Sequence, residues 1–190
     1  MIFNKHSHNP NFHAFLSASK YHWIGYDEDK VLRAFDQAQA AARGSRLHAL
    51  AHDLIREGVM LRESPKTLNM YVNDSIRYRM VPEQLLVVNE LCFGTPDAIG
   101  FSEKRLKLRI SDLKTGASPT SEKQLLVYAA MFCMEYGETL DFSPFDLTTE
   151  LRIYQNNECR ERQVDPMDIV GVIETIKLFT RVLREREAGN

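Results

Sequence analysis

Several features that narrow the function of a protein are scarce in this chain of 190 residues. Its only cysteines are Cys92, Cys133 and Cys159, and no two of them form a C-x-x-C pair. An iron–sulfur cluster held by four cysteines of one chain is therefore excluded, and unpatterned cysteines suit a reducing cytoplasm. No apolar run approaches the roughly 20 residues of a membrane span, and the polar start lacks a signal-peptide core, so we expect no membrane association.

Charge and composition describe an ordinary globular protein. The formal net charge is −2, which argues against a polybasic coat for nucleic acid. Hydrophobic residues make up 44% of the chain, enough for one good core. Because no repeat, linker or low-complexity tract interrupts the chain, we expect a single domain over residues 1–190, with a mobile N-terminus at 1–12.

Hydrophobic periodicity predicts the order of the secondary-structure elements. The predicted elements are helices 28–42 and 44–58, a helical or irregular stretch at 66–79, strands near 83–88, 91–101 and 106–113, a helix at 119–136, a strand at 148–155 and a C-terminal helix at 166–187. This order indicates an α/β fold with a central mixed β-sheet flanked by helices. The last helix could pack on the core or form the interface of a homo-oligomer.

Two of these strands, near 91–101 and 106–113, predict a β-hairpin because only four polar residues separate them. Side chains along a strand alternate between the two faces of the sheet. We expect Phe101 to pair with Leu106 across the loop. That register determines which polar residues of the two strands come together.

Two aspartates and a lysine lie where the apolar faces of this predicted hairpin end. Asp97 is expected opposite Ile110 and diagonal to Asp112, at a separation of roughly 7–8 Å, with Lys114 on the same face as Asp112. Carboxylates in such a place are costly unless they are paired or bind a cation. The pattern predicts a Mg²⁺ site in which Lys114 orients or deprotonates a water. The alternative is a solvated strand end with a simple Asp112–Lys114 salt bridge.

Two further pairs of residues lie four apart on predicted helices. Gln124 and Tyr128 share one face of the helix at 119–136, from which they could reach the phosphates and sugars of a nucleotide or form a plain polar edge. His48 and His52 raise the alternative of a zinc site. The glutamate of the zinc-protease helix motif and a third soft ligand at suitable spacing are both missing there.

Four motifs occur in order along the chain: Gly44-x-x-x-His48, Gly94-x-x-Asp97, Asp112-x-Lys114-Thr-Gly and Gln124-x-x-x-Tyr128. Together they resemble the RecB-type branch of the PD-(D/E)XK nuclease superfamily, which includes RecB and AddAB nuclease domains, CRISPR-associated RecB-like exonucleases and many phage exonucleases. The resemblance spans residues 13–160 and implies a restriction-endonuclease-like core. It departs from the iron–sulfur members of this branch, whose cysteines are absent here.

The resemblance implies roles for the motif residues. Asp97 and Asp112 would be the carboxylate ligands of one or two Mg²⁺ or Mn²⁺ ions. His48 and the backbone carbonyl of Leu113 would complete the coordination. Lys114 would position or activate the attacking water.

The resemblance also implies substrate contacts and one more acid. Gln124 and Tyr128 would contact the DNA. A further acid is expected on the strand before the first carboxylate ligand. If Asn89 and Glu90 form a two-residue turn, Glu83 falls beside that ligand, and we favour Glu83 over Glu90 as the supporting acid.

The function implied is metal-dependent hydrolysis of phosphodiester bonds in DNA, most simply by a phage-type exonuclease in DNA processing or recombination. Such a protein would work in the cytoplasm of a bacterial or phage-infected cell. The alternative is a nuclease-fold DNA-binding or regulatory subunit without cleavage activity of its own. Endonuclease or exonuclease action, strand polarity and strand preference all stay open from the sequence.

Overall fold

The computed structural model describes residues 14–116 and 120–189, and the chain divides into two compact units, Met1–Ser45 and Arg46–Asn190. In the first unit a 3₁₀ segment at Ala18–Gly25 precedes a long helix, α1, which covers Glu28–Arg56. The rings of Phe15 and Phe35 pack edge to face there, with centroids 5.3 Å apart. The N-terminus predicted to be mobile, residues 1–12, lies outside the described residues.

The remaining elements, as far as the two described ranges show them, all belong to the second unit. In chain order they are α2 (Thr67–Arg77), β1 (Val81–Pro82), β2 (Leu86–Asn89), β3 (Cys92–Gly94), β4 (Ala98–Ser102), β5 (Lys107–Leu113), α3 (Lys123–Tyr136), β6 (Thr148–Gln155), β7 (Glu158–Gln163) and α4 (Pro166–Ala188).

A five-stranded mixed sheet organises the second unit, with the strand order β1-β4-β5-β6-β7. Strands β5 and β6 are parallel, and the other neighbours are antiparallel. Two parallel strands need a long crossover connection, which here contains α3. Strands β2 and β3 form a separate two-stranded sheet. The predicted α/β fold with a central mixed sheet and flanking helices is confirmed.

Alternating side chains of the central strands contribute to two hydrophobic cores, one on each face of the sheet. Leu108 and Ile110 of β5 lie in the core formed with α3 and the buried Ile169 of α4. Leu113 of β5 belongs to the other core, with Tyr71 of α2 and residues from the end of α1. Each face of the sheet is therefore covered by helices.

The predicted break between helices 28–42 and 44–58 is wrong, because α1 runs without interruption from Glu28 to Arg56. A glycine inside a helix costs only about 1 kcal/mol relative to alanine, so Gly44 weakens the helix without ending it. The Ser45 hydroxyl donates to the Ala41 carbonyl at 3.2 Å and so stays within the helix. After Arg56, Gly58 takes a φ of 68°.

Other boundaries differ from the predictions in smaller ways. The strand predicted near 91–101 is divided into β3 and β4, since Pro96 between them has no N–H to donate to a ladder. The stretch at 66–79 is helical as α2, and α3 begins at Lys123 instead of 119. The start of that predicted helix, at 117–119, lies outside the described residues.

Two C-terminal predictions are confirmed and one strand was not predicted. The strand at 148–155 is β6, and the helix at 166–187 is α4, whose N-cap Asp165 accepts a hydrogen bond from the N–H of Met167 at 2.9 Å. Strand β7 has no regular hydrophobic alternation. Its signal is the preceding pair Asn156 and Asn157, whose φ values of 52° and 61° suit a tight hairpin turn. Over the described ranges, no helix combines the length and the apolar character needed to cross a membrane.

Candidate metal and phosphate site

The register of the β4–β5 hairpin differs from the predicted one. Phe101 pairs with Leu108 instead of Leu106, and a 3₁₀ turn at Glu103–Arg105 joins the two strands. Leu106 closes this turn with a φ of 44° and does not belong to the strand. The predicted pairing of Phe101 with Leu106 is therefore wrong. Because the shift is an even number of residues, every side chain keeps the face that was expected.

The observed register sets two acids directly opposite each other. Ala98 pairs with Ser111, so the next position along the two strands brings Asp97 opposite Asp112. Directly opposed residues are closer than the diagonal neighbours that the sequence predicted, with Cβ atoms about 5 Å apart. The pair lies at the carboxyl end of β5, the kind of sheet edge at which open α/β sheets bind ligands.

The carboxylate of Asp97 connects strand β5 with helix α1. Its Oδ2 accepts a hydrogen bond from the N–H of Leu113 at 2.8 Å and lies 3.4 Å from Nδ1 of His48. The hydrogen bond with Asp97 raises the pKa of His48, although burial acts in the opposite direction. His48 thus lies at the first acid, where the resemblance placed it.

The carboxylate of Asp112 is the more buried of the two, at 5% exposure. Its Oδ1 lies 2.9 Å from Nζ of Lys114, whereas its Oδ2 is buried and has no hydrogen-bond partner among residues 14–116 and 120–189. Burial raises the pKa of Asp112, the hydrogen bond from Lys114 lowers it, and the charge of Asp97 raises it further. A cation bound at this carboxylate would compensate its buried charge.

The structure distinguishes the two candidates for the supporting acid. The N–H of Glu83 donates to the carbonyl of Asp97 at 3.1 Å, so Glu83 continues the ladder opposite that residue. Glu90 instead accepts two hydrogen bonds from the guanidinium of Arg184, at 2.9 and 3.0 Å. The predicted turn at Asn89–Glu90 is wrong, because Asn89 pairs with Cys92. Glu83 therefore lies opposite Asp97, one position from where it was predicted.

The polar pair on α3 lies next to the strand that leads to the first acid. Gln124 Nε2 donates to the hydroxyl of Tyr128 at 3.1 Å. The ring of Tyr128 covers Gly94, where an added Cβ would come within 2.9 Å of the tyrosine Cε1. Glycine is thus required at this position for the ring to lie where it does. Gln124 is exposed and Tyr128 half-buried, which leaves the pair accessible from solvent.

Sequence reasoning missed Tyr71, which is 2% exposed on α2. Burial raises its pKa well above the ordinary value, and the charges of Asp97, Asp112 and Glu83 raise it further. The phenol is therefore held neutral beside three acids. No local pattern distinguishes it from an ordinary core tyrosine of the predicted stretch at 66–79.

The basic residues of β5 serve a different group. Lys107 and Arg109 face the other side of the sheet and bind the buried carboxylate of Glu150, with N–O distances of 2.6 and 3.1 Å. Arg152 of β6 binds the same carboxylate at 2.5 Å. These three cations thus bind a buried carboxylate on the face of β5 that points away from Asp112.

The donor atoms at the site suit a hard divalent cation. Over the described ranges, no three His, Cys, Asp or Glu side chains form a ready metal cluster, and His52 lies against Asp53 at 3.2 Å. What the strands provide is an opposed pair of carboxylates, of which Asp112 keeps a buried oxygen without a partner. Carboxylate and carbonyl oxygens are the ligands that Mg²⁺ and Mn²⁺ favour, often with water in the remaining positions.

Comparison of the chain with protein families, curated proteins and solved structures finds no significant match. The function has to be inferred from the chemistry of the site itself.

Proposed function

We propose that this chain is a divalent-metal-dependent deoxyribonuclease of the RecB-like kind, acting on DNA ends. The observation that carries the proposal is the opposed pair Asp97 and Asp112, with a buried oxygen of Asp112 left without a partner and Lys114 2.9 Å from the other oxygen. Acids and a lysine in this arrangement are what phosphodiester hydrolysis needs. The order of the four motifs along the chain supports the same reading.

Asp97, Asp112 and the carbonyl of Leu113 would hold one or two Mg²⁺ or Mn²⁺ ions, with His48 and Glu83 at the edge of the site. The ion, when bound, would lower the pKa of water and neutralise the charge of the scissile phosphate. The His48 contact and the Leu113 N–H fix the orientation of the Asp97 carboxylate before any ligand arrives. Such preorganisation avoids the cost of ordering the ligands during binding.

Lys114 is placed to act on the attacking water. Its ammonium is held by Asp112 at 2.9 Å, and its side chain is 30% exposed, so it contacts both the buried acid and solvent. A group in this position can orient water toward phosphorus and stabilise the negative charge that develops on the phosphate oxygens. Lys114→Met should therefore reduce the cleavage rate by about a hundredfold or more without preventing metal binding.

The proposal is tested by incubating an end-labelled linear duplex and a covalently closed circle with Mg²⁺, Mn²⁺ or EDTA. We expect metal-dependent shortening of the linear DNA and an intact circle. Asp112→Asn should remove cleavage while DNA binding is retained, since the substitution removes a negative charge near the phosphate. Asp53→Asn, at a side chain that is 65% exposed on α1, is the matched control and should cleave normally.

Other outcomes would change the assignment. Nicking or linearisation of the circle would make the protein an endonuclease with the same site. Full activity of Asp112→Asn in clean preparations would show that the site lies elsewhere. Binding of DNA without cleavage under any metal would leave a nuclease-fold binding or regulatory subunit, the alternative that the sequence already raised.

A further inference from the structure

A cavity of about 220 Å³ lies beside the opposed carboxylates, within the second unit. Its apolar walls are Leu47 of α1, Leu68 of α2 and Leu113 of β5. Polar groups come from Thr67, Thr115 and Asn156. The cavity is therefore lined by apolar surface together with hydroxyl and amide groups.

Two residues connect the wall of the cavity with the candidate site. Leu47 immediately precedes His48, which contacts Asp97. Lys114 belongs both to the cavity wall and to the carboxylate pair, because it lies 2.9 Å from Asp112. A phosphate held at the acids would therefore lie next to Lys114, which also lines this cavity.

The position of the cavity in the fold fits a ligand pocket. Leu113 ends β5, and Asn156 directly follows β6, so the cavity lies at the carboxyl ends of the parallel pair. Ligands of open α/β sheets bind at this edge. Apart from Lys114 and the carbonyl of Leu113, the residues that line the cavity have no part in the proposed metal site.

Hydrogen bonds join two segments at the rim of the cavity. The N–H of Asn157 donates to the hydroxyl of Thr67 at 2.8 Å, and the N–H of Thr67 donates to the Asn157 side chain at 3.2 Å. The β6–β7 turn and the first residue of α2 are thus joined across the rim. A pocket with fixed walls loses little conformational entropy when it is filled.

The volume and the lining residues of the cavity indicate the kind of ligand that it suits. The volume is below the roughly 300–1,000 Å³ of pockets for drug-sized ligands, which suits a single ring system better than a whole nucleotide. The leucines offer contact to the faces of a planar ring, and the hydroxyls and the amide offer donors and acceptors to its edge. Among the described residues that line the cavity Lys114 alone is charged, so the pocket favours a neutral group attached to an anion.

We infer that this cavity holds the base of the nucleotide whose phosphate lies at Asp97 and Asp112. The inference rests on the proposed nuclease function, because it assigns the substrate phosphate to the carboxylate pair. It adds a specificity-determining pocket in which Leu47, Leu68 and Leu113 contact the base. Cleavage would then require a base at the position next to the scissile bond.

The first test needs neither cleavage nor a variant. Binding of dAMP, dTMP and 2-deoxyribose 5-phosphate to the wild-type protein is followed by ligand-observed NMR with Mg²⁺, because none of the three ligands contains a phosphodiester bond that could be cleaved. We expect the two nucleotides to bind about tenfold or more tightly than the sugar phosphate, because contact with a base adds binding energy of that order. Equal binding of all three would overturn the inference.

The second test fills the cavity. Leu47→Trp introduces a large ring at a wall residue that is 36% exposed, and Leu50→Trp makes the same change on the same helix, at a residue that is 47% exposed and outside the cavity. We expect Leu47→Trp to abolish the preference for nucleotides over sugar phosphate and to raise KM for DNA about tenfold, with a smaller effect on kcat. Leu50→Trp should resemble the wild type, and circular dichroism confirms that both variants fold.

The outcomes separate this inference from the nuclease proposal. If DNA is cleaved and Asp112→Asn is inactive, but Leu47→Trp behaves as Leu50→Trp does, the inference fails and the nuclease stands. If the nucleotide preference is present and is lost in Leu47→Trp while no DNA is cleaved, the pocket stands and the nuclease fails. An abasic residue next to the scissile bond should slow wild-type cleavage at that position, and undiminished cleavage there would also count against the pocket.

Discussion

At the scale of single residues, Asp112 is the most costly group of the site. A buried carboxylate oxygen without a partner costs about 1–3 kcal/mol relative to the same group in water. Hydrogen bonding from Lys114 offsets this cost at the other oxygen only. A protein that retains such a charge sacrifices stability at this position, and binding of a cation would recover it.

This cost leads to a prediction that does not depend on cleavage. Addition of Mg²⁺ or Mn²⁺ should raise the melting temperature of the wild-type protein, since a ligand that binds the folded state stabilises it. Asp112→Asn should be about 1 kcal/mol more stable than the wild type in EDTA and should gain nothing from the metal. Calorimetry in EDTA and at increasing metal concentration checks both points. A metal-induced increase that survives in Asp112→Asn would place the ion elsewhere.

Glu83 has an unusual backbone conformation, because its φ of 49° is rare for a residue other than glycine. Such a conformation costs on the order of 1 kcal/mol and is common at functional sites. We predict that Glu83→Gln lowers metal affinity and cleavage rate by about tenfold, whereas Glu90→Gln changes neither. Glu90 is the matched control, because it binds Arg184.

Steady-state cleavage at several Mg²⁺ concentrations measures both effects. Glu83→Gly separates the backbone from the carboxylate, since glycine adopts this φ without strain. A variant that folds well but is as inactive as Glu83→Gln would identify the carboxylate as the group required. Equal losses in Glu83→Gln and Glu90→Gln would remove Glu83 from the site.

At the scale of the elements, the sequence predicts correctly which side chains of the hairpin share a face. It does not predict the register in which the two strands pair. The apolar alternation through Leu108 and Ile110 predicts β5 and the face that Asp112 takes. It does not predict that Leu106 adopts a left-handed conformation and shifts the pairing, because that choice depends on the local turn. Motif order alone placed His48, Asp97 and Lys114 in one site. The contact of His48 with Asp97 joins residues far apart in the chain and follows only from packing of α1 against the sheet.

The pair β5 and β6 carries a buried charge cluster whose titration can be predicted. Burial alone would raise the pKa of Glu150, but hydrogen bonds from Lys107 and Arg152 and the charge of Arg109 lower it to about 2. A carboxylate whose pKa is lower in the folded protein than in the unfolded chain stabilises the folded state fully at pH values above the unfolded-state pKa. That contribution is lost as the pH falls from about 4.5 toward about 2.

Glu150→Gln should therefore destabilise the protein by about 3 kcal/mol near neutral pH, because three cations lose a buried partner. The difference from the wild type should shrink between about pH 4.5 and about pH 2, the interval over which the wild-type carboxylate becomes protonated. Urea denaturation across this range measures the effect. Glu161→Gln, at a side chain that is 44% exposed, is the control and should be nearly neutral. A difference independent of pH would contradict the lowered pKa.

At the scale of the whole molecule, all three cysteines are free, so the fold depends on packing and hydrogen bonds without a disulfide. Burial raises the pKa of Cys133 to about 12 and also raises the pKa of Cys92 and Cys159. We predict that a thiol reagent at mildly alkaline pH modifies Cys92 and Cys159 slowly in the native protein and Cys133 only upon unfolding. Mass spectrometry of peptides against time of exposure measures the order.

Complete labelling in denaturant is the reference for that measurement, and melting temperatures with and without reductant should coincide. Native-state modification of Cys133 as fast as that of Cys159 would show that the core around α3 opens readily. It would also indicate that α3 does not hold Tyr128 rigidly over Gly94, and hence that the α3 pair is a mobile contact surface.

The parallel pairing of β5 with β6 also determines when the candidate site can form during synthesis of the chain. The backbone N–H of Lys114 donates to the carbonyl of Tyr154 at 2.9 Å, so the lysine is held by a strand that is synthesised well after it. Long-range pairing of this kind forms late, after the intervening chain has closed into a loop. A nascent chain that has emerged only as far as α3 would carry both aspartates but would lack the strand that holds the backbone of Lys114. If the proposed nuclease function holds, activity would therefore have to wait until β6 has been synthesised and paired with β5.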